Sequence, residues 1–261
     1  AGALAAAKLH IPVAHVEAGL RSFNMQMPEE INRILTDRVA SWLFCPTDTA
    51  VKNLEREGAA DWLGVQVYNV GDVMYDAAVF YRKRAVAGSV VEQLLTRYDH
   101  GFYLATVHRQ ENTDDPQRLK DIMTALDEIA ARVPIILPLH PRTRKHLAAI
   151  GMELRNVTCI EPVGYGDMIM LLDHCRAVFT DSGGVQKEAY FFNKPCVTLR
   201  EETEWVELVE HGFNKLSGAN YEKILNLEQS FIRLKINDDM KLYGDGNTGQ
   251  KIIELILGIK R

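Results

Sequence analysis

Cysteine, net positive charge and long apolar runs are all scarce in this sequence. Its four cysteines (Cys45, Cys159, Cys175 and Cys196) form no CxxC pair and share no metal-ligand spacing with histidine. That excludes a disulfide framework or a zinc module and reads as buried thiols in a reducing compartment. No apolar run approaches the length of a bilayer crossing, and the start lacks the charged-then-apolar layout of a signal peptide, so a cytosolic chain without a membrane partner is expected. The 30 Lys+Arg against 35 Asp+Glu give a formal charge of -5 and no broad basic field. Nucleic acid is therefore not an expected partner, and the short RKRAV stretch at 82–86 reads as a solvated helix face. An initiator Met is missing as well. AGALAAAKLH reads as a helix already under way, and the chain is expected to lack its first βα units.

What is present is ordinary globular composition, 47% hydrophobic and 25% charged, in a chain of 261 residues, longer than one usual domain. Apolar runs of strand length alternate with amphipathic stretches throughout, the mark of a mostly parallel sheet covered by helices. Strands are predicted at 11–16, 42–45, 66–70, 102–107, 134–138, 157–160, 177–180 and 196–199. Helices are predicted at 28–40, 47–57, 73–86, 88–97, 116–132, 142–151, 165–174, 183–192, 204–211 and 246–258. A boundary falls near NVGDVMYDA (69–77), giving two Rossmann-like lobes: 1–72 as part of the first, 73–244 as the second, and 245–261 as an amphipathic C-terminal helix. Open α/β sheets bind ligands beyond the carboxyl ends of their strands, so the strand-to-helix turns are where chemistry is expected.

Four of those turns are loaded with polar groups: HVEAGLRSFNMQMPEEINR (15–33), TVHRQEN (106–112), LHPRTR (139–144) and TDSGGVQKEA (180–189). In the last, a glycine pair at a helix start lets backbone N–H groups approach an anion that the helix dipole favours. Ser182, Gly183 and Gly184 would then hold a diphosphate, and Glu188, one turn on, would accept from ribose hydroxyls. Asp181 or Ser182 also reads as only an N-cap, with the glycines making a tight turn and no ligand, because the stretch is neither G-x-G-x-x-G nor a Walker sequence. In PEEINR, Glu29 and Arg33 share a face at i and i+4, where a surface ion pair is one reading. Glu17 lies upstream at a strand end, and the short connecting loop brings Glu17 and Glu29 near enough to serve as paired acid and base. His108 and His140 each follow an apolar strand, where histidine serves structure as readily as chemistry, on the same rim as Ser182.

With these residues laid out, the chain resembles the non-hydrolysing UDP-N-acetylglucosamine 2-epimerases, a family with the GT-B fold. The resemblance runs from the first residue to about Gly218, on PVAHVEAGLRS, PEEINRILTD, LFCPTD, VGDVMYDA, TVHRQEN, LHPRT, TDSGGVQKEA, KPCVTLREETEW and GFNKLSG in that order. It implies an α/β protein of two Rossmann-like lobes (GT-B), the first incomplete, with parallel sheets flanked by helices and a C-terminal helix returning to the first lobe. It implies that UDP-GlcNAc and UDP-ManNAc are interconverted by inversion at C2, through elimination of UDP to 2-acetamidoglucal and re-addition, with no cofactor or metal. By motif, Glu17 and Glu29 match the acid/base carboxylates, His108 a histidine on the departing phosphate, and His140 one lining the same site. Ser182, Gly183, Gly184 and Glu188 match the UDP-binding turn, and Arg33 a phosphate contact. The resemblance also implies a homodimer.

Departures from the family pattern matter too. A glycine-rich first turn and a GDTxS-like turn with a further acid/base aspartate would precede Ala1, so this chain alone is expected to be inactive or badly impaired. TEWVE (203–207) stands where many members have TERPE, and some relatives act on UDP-2,3-diacetamido uronic acids, so the sugar stays open. A hydrolysing epimerase, a GT-B glycosyltransferase and a non-catalytic UDP-sugar sensor are the remaining readings. Glu17 and Glu29 argue against glycosyl transfer, which needs no base aimed at C2.

Overall fold

The computed structural model describes residues 1–62, 64–231 and 240–258. It divides into two compact units, one of Ala1–Val79 with Asp239–Arg261 and one of Phe80–Asp238. The first unit runs α1 (Gly2–Lys8), β1 (Ala14–Val16), α2 (Pro28–Val39), β2 (Trp42–Cys45), α3 (Asp48–Arg56), a 3-10 turn at Ala59–Asp61, and β3 (Gln66–Asn69). The division of the chain falls inside the next helix, α4 (Val73–Arg82), whereas the sequence pattern put a boundary at its start. The three strands pair in parallel, in the order β1-β2-β3. Pro28 opens α2, where its fixed φ suits a first helical residue and its missing N–H costs nothing. Thr47 caps α3 by accepting from Ala50 N at 3.2 Å. The strand expected at 11–16 shortens to 14–16, since Pro12 has no N–H to give a ladder and Ile11 and Pro12 are exposed.

The second unit continues with α5 (Ser89–Arg97), β4 (Tyr103–Thr106), α6 (Gln110–Thr113), α7 (Pro116–Ala130), β5 (Ile135–Pro138), α8 (Pro141–Ala149) and β6 (Thr158–Ile160). It then runs through α9 (Tyr165–His174), β7 (Ala177–Thr180), α10 (Gly183–Phe191), β8 (Cys196–Thr198), α11 (Val206–Glu210), β9 (Asn214–Leu216) and α12 (Tyr221–Phe231). All neighbouring strands are parallel, in the order β6-β5-β4-β7-β8-β9. Counted along this unit alone, that is 3-2-1-4-5-6, a doubly wound sheet whose strand order reverses between β4 and β7. Those two central strands are buried along their whole length, which is why they read as continuous apolar runs and not as alternating ones. On α7, Leu119, Ile122, Met123, Leu126 and Ile129 recur at helical spacing and are all fully buried, each such side chain contributing about 1.5–3 kcal/mol.

Three elements of this unit lie outside the predicted pattern. β9 is only Asn-Lys-Leu, too short and polar to register as a strand, and it exists by pairing with β8. The four-residue α6 lies inside the polar TVHRQEN turn. The third, α12, packs on α7 through the fully buried Ile224.

After residue 239 the chain returns to the first unit as α13 (Thr248–Leu257). Ile252 and Leu255 pack with Phe44, Val70, Trp42 and Tyr68, and Gly249 N donates to Asp76 Oδ2 at 2.7 Å. Residues 259–261 of the expected C-terminal segment, and 232–239 of the expected second lobe, lie outside the described residues. Cys45, Cys175 and Cys196 are buried, and burial pushes their thiols up to about 12, which leaves them inert at neutral pH. Cys159 departs from the expectation of four buried thiols: it is exposed, because β6 is the edge strand of its sheet. No helix among the described residues is long and apolar enough to cross a membrane.

Candidate active site

The reversal between β4 and β7 opens a crevice at the strands' carboxyl ends, and two of the four polar turns lie there. Thr106 and Thr180 are register partners at the ends of the two strands, with their hydroxyls 2.5 Å apart. Just beyond, the fully buried Asp181 accepts from His108 N at 3.0 Å, Arg109 N at 2.9 Å and Asn112 Nδ2 at 3.2 Å. Asn112, also fully buried, donates to Leu199 O at 2.9 Å and accepts from Arg118 Nη2 at 2.9 Å. Thr143 Oγ1 donates to Val107 O at 2.6 Å. These bonds fasten the segments after β4, β5, β7 and β8 to one another.

Fixed in this way, His108 is exposed, with Nε2 4.0 Å from Asp181 Oδ1, and its ring centre is 6.1 Å from that of His140. His140 Nδ1 accepts from Arg142 N at 3.2 Å and so caps α8, which puts the proton of the neutral ring on Nε2. Both histidines line a cavity of about 170 Å³ with Thr106, Pro138, Met168 and Val185, the last from the first turn of α10. A larger concavity of about 580 Å³ beside α8 and β6, lined by Leu139, Leu147, Met152 and Cys159, holds none of the candidate residues.

At the start of α10, Ser182 is the N-cap: its Oγ accepts from Val185 N at 3.4 Å, and its own N–H donates to Thr180 Oγ1 at 2.9 Å. Gly183 has a reason to be bare that lies in the protein itself. A Cβ there would come within 2.4 Å of Glu204 Oε1, and its carbonyl accepts from Trp205 Nε1 at 2.9 Å. Burial alone would raise the Glu204 carboxyl, but Arg200, itself buried and 3.0 Å away, more than offsets this and holds it below its ordinary value. The Trp205 ring also lies 4.2 Å from the ammonium of the fully buried Lys187. Gly184 is half-buried in the same turn. Glu188 is buried, and burial pushes its carboxyl up against the opposing pull of a hydrogen bond from Tyr165 and of Lys187.

The first unit holds the remaining candidates. Glu17, half-buried, follows β1 with φ of 65°, a left-handed conformation unusual for a residue with a side chain. Glu29 is exposed in the first turn of α2, and its neighbour Glu30 is fully buried. The surface ion pair that is one reading of Glu29 and Arg33 is not what the fold contains: Arg33 Nη2 bonds Glu30 at 2.5 Å. Glu30 also accepts from Ser22 N at 2.9 Å and Phe23 N at 3.0 Å, so it wins the arginine because it is already the inward, preorganised acceptor. Burial alone would raise Glu30, but those N–H groups and Arg33 outweigh it and hold the carboxyl below its ordinary value. Sequence reasoning missed Asp181, Asn112, Glu30, Tyr165, Arg200 and Glu204. All but Tyr165 sit inside motifs already singled out, but the motifs do not tell which of their polar residues turn inward.

Parallel sheets flanked by helices, with the polar turns at a strand-order reversal, define an α/β protein of the GT-B class. The chain belongs to the UDP-N-acetylglucosamine 2-epimerase family, whose family model matches residues 1–257. This is a family of UDP-sugar 2-epimerases. Over 257 residues the chain is 53% identical to the UDP-2,3-diacetamido-2,3-dideoxy-D-glucuronate 2-epimerase of Pseudomonas aeruginosa, covering 98% of this chain and 71% of that one. The crystal structure of the Methanocaldococcus jannaschii UDP-GlcNAc 2-epimerase in complex with UDP-GlcNAc and UDP superposes with a TM-score of 0.88 at 40% identity, covering 98% of this chain and 72% of that one. The Neisseria meningitidis UDP-GlcNAc 2-epimerase bound to UDP-GlcNAc gives 0.84 at 31% identity, with the same coverages.

Proposed function

We propose that this chain carries the chemistry of a UDP-2-acetamido-sugar 2-epimerase working by elimination and re-addition of UDP. The observation that carries the reading is the strand-order reversal between β4 and β7, where Asp181 fastens together the turn bearing His108 and the turn that opens α10. In this reading the diphosphate lies on the Ser182 hydroxyl and the amides of Gly183 and Gly184. Arg200, shared between Glu204 at 3.0 Å and Glu111 at 3.2 Å, tempers the negative charge beside the helix start. His108 and the Nε2–H of His140 meet the departing phosphate, Arg33 supplies a cation, and Glu188 accepts from the ribose.

The C2 proton is not acidic in the ground state, so leaving-group stabilisation has to accompany its removal. One of Glu17 and Glu29 takes the C2 proton. The C2–H electrons become the C1=C2 double bond of the glycal, and the C1–O electrons leave with UDP. The reverse addition, with a proton delivered to the other face of C2 by the second carboxylic acid, completes the inversion with no net redox change. Both the UDP-GlcNAc/UDP-ManNAc pair and the UDP-2,3-diacetamido uronates fit this chemistry. The 53% identity to the Pseudomonas enzyme, against 40% to the Methanocaldococcus one, favours the uronate.

Turnover in D₂O by the active enzyme that contains this chain is expected to place deuterium at C2 of the recovered UDP-sugar, with faster turnover of the diacetamido uronate in parallel assays. Failure of that enzyme to incorporate deuterium with either sugar sinks the epimerase reading in favour of glycosyl transfer. Calorimetry with UDP is expected to show Ser182→Ala and Gly184→Trp weakening binding by about tenfold or more, and unchanged affinity in both removes the phosphate turn.

Glu188 adds a pH dependence. Its folded value lies above the ordinary 4.5, so its burial favours the folded state at low pH, and that contribution is lost as pH rises through the raised value. Ribose binding needs the ionised form and runs the other way. UDP affinity is expected to fall on acidification in a window above 4.5, and a Glu188→Gln variant titrated alongside should bind more weakly and show a smaller fall, the terminal phosphate of UDP keeping its own titration.

A further inference from the structure

Both helices that flank the turn after β1 hold it. Asp37, fully buried on α2, bonds His15 Nδ1 at 2.6 Å, Gly19 N at 3.3 Å and Arg21 Nη1 at 2.8 Å, so a side chain of β1 and two groups of the turn after it converge on one carboxylate. From α3, Asn53 Nδ2 donates to Gly19 O at 3.0 Å, and Glu57, the helix C-cap, takes Arg21 Nε at 2.7 Å and Nη2 at 2.9 Å. Arg21 Nη1 also donates to Leu20 O at 2.7 Å. Gly19, at φ 76°, lies so close to α3 that a Cβ would come within 2.4 Å of Ala50 O. Between the residues gripped in this way sits Glu17, in its left-handed backbone conformation. A non-glycine residue persists there only where the surroundings over-determine it, and such strain gathers at functional sites.

We propose that Asp37, with Asn53 on the opposite side, is a positioning clamp whose task is to fix the Glu17 carboxylate for proton transfer at C2. The proposal rests on the reading of Glu17 as an acid/base group. Three donors would satisfy any buried carboxylate; what marks this one is that they lie within the few residues on either side of one strained glutamate. Here the clamp acts on catalysis through Glu17 alone, and the effect follows from how steeply proton transfer depends on placement.

The test is a double-mutant cycle in the active enzyme, with Asp37→Asn made in the native and in the Glu17→Gln backgrounds. Asp37→Asn is expected to lower kcat by roughly ten- to a hundredfold with KM nearly unchanged, and to cost nothing further once Glu17 is Gln. An equal loss of kcat in both backgrounds, or none in the native one, overturns the clamp. If Glu17→Gln itself keeps native kcat, the role of Glu17 fails first and the clamp falls with it. Should Asp37→Asn not fold, Asn53→Ala is read in the same cycle, since it removes only the bond to Gly19 O.

Discussion

Asp181→Asn is expected to destabilise the protein by about 3 kcal/mol and to abolish UDP binding together with it. The Asp181 carboxylate is fully buried and serves three N–H donors, two of them main-chain groups of the segment after β4. An amide of the same shape can keep its oxygen where Oδ2 accepts from all three groups, but its NH2 then takes the place of Oδ1, 3.1 Å from His108 N, a donor facing a donor. That buried NH2 is left without a partner, at about 1–3 kcal/mol, and the three bonds lose the charge of the carboxylate. The nearest cation-forming group, His108 Nε2, is 4.0 Å away and cannot make good the difference. Urea melts should show the lower midpoint, and in a chain of this size each kcal/mol moves Tm by about 2–4 °C. A midpoint within error of the native protein would mean that the segment after β4 is held by something other than this carboxylate.

Glu17→Gln and Glu29→Gln are each expected to lower kcat by about a hundredfold to ten-thousandfold while leaving UDP affinity close to native. Glutamine keeps the shape and the hydrogen-bonding capacity but neither takes nor returns a proton. The pair of glutamates at 29 and 30 makes an internal control, because successive residues point about a quarter-turn apart on a helix and only the first faces solvent. Glu30→Gln should act through the loop and not through the chemistry. Its bonds to Ser22 N, Phe23 N and Arg33 would be weakened, and stability and UDP affinity should drop more than the rate at saturating substrate. Native kcat in Glu29→Gln, with a collapse in Glu30→Gln, would reassign the acid/base role.

Much of the fold was legible because the central strands of the second unit are buried on both faces and punctuated by polar turns. The spans of β2, β7 and α9 agree with the sequence pattern to the residue. What periodicity could not convey was pairing order: only the sheet itself puts the strand preceding TVHRQEN beside the strand preceding TDSGG. β9 escaped for the opposite reason, since three residues with one apolar side chain carry no period at all. Among the site residues, spacing put Glu29 and Arg33 on one face, and burial gave the arginine to Glu30 instead, a choice that i, i+3 and i, i+4 rules leave undecided. Gly183 is a second instructive position. A bare backbone at a helix start suggested a guest anion, and the nearest crowding group proves to be the protein's own Glu204.

The return of α13 to the first unit has a consequence for biosynthesis. Phe44 and Val70 emerge from the ribosome long before Ile252 and Leu255, their packing partners, which lie roughly 200 residues downstream of Phe44. At elongation speeds of about 5–20 residues per second, that apolar patch waits some ~10–40 s for its cover. The intervening unit, continuous in sequence, is free to complete itself first. Phe44 and Val70 are thus covered only after the whole intervening unit has been made, and a nascent form with that patch still bare is the one most in need of a chaperone.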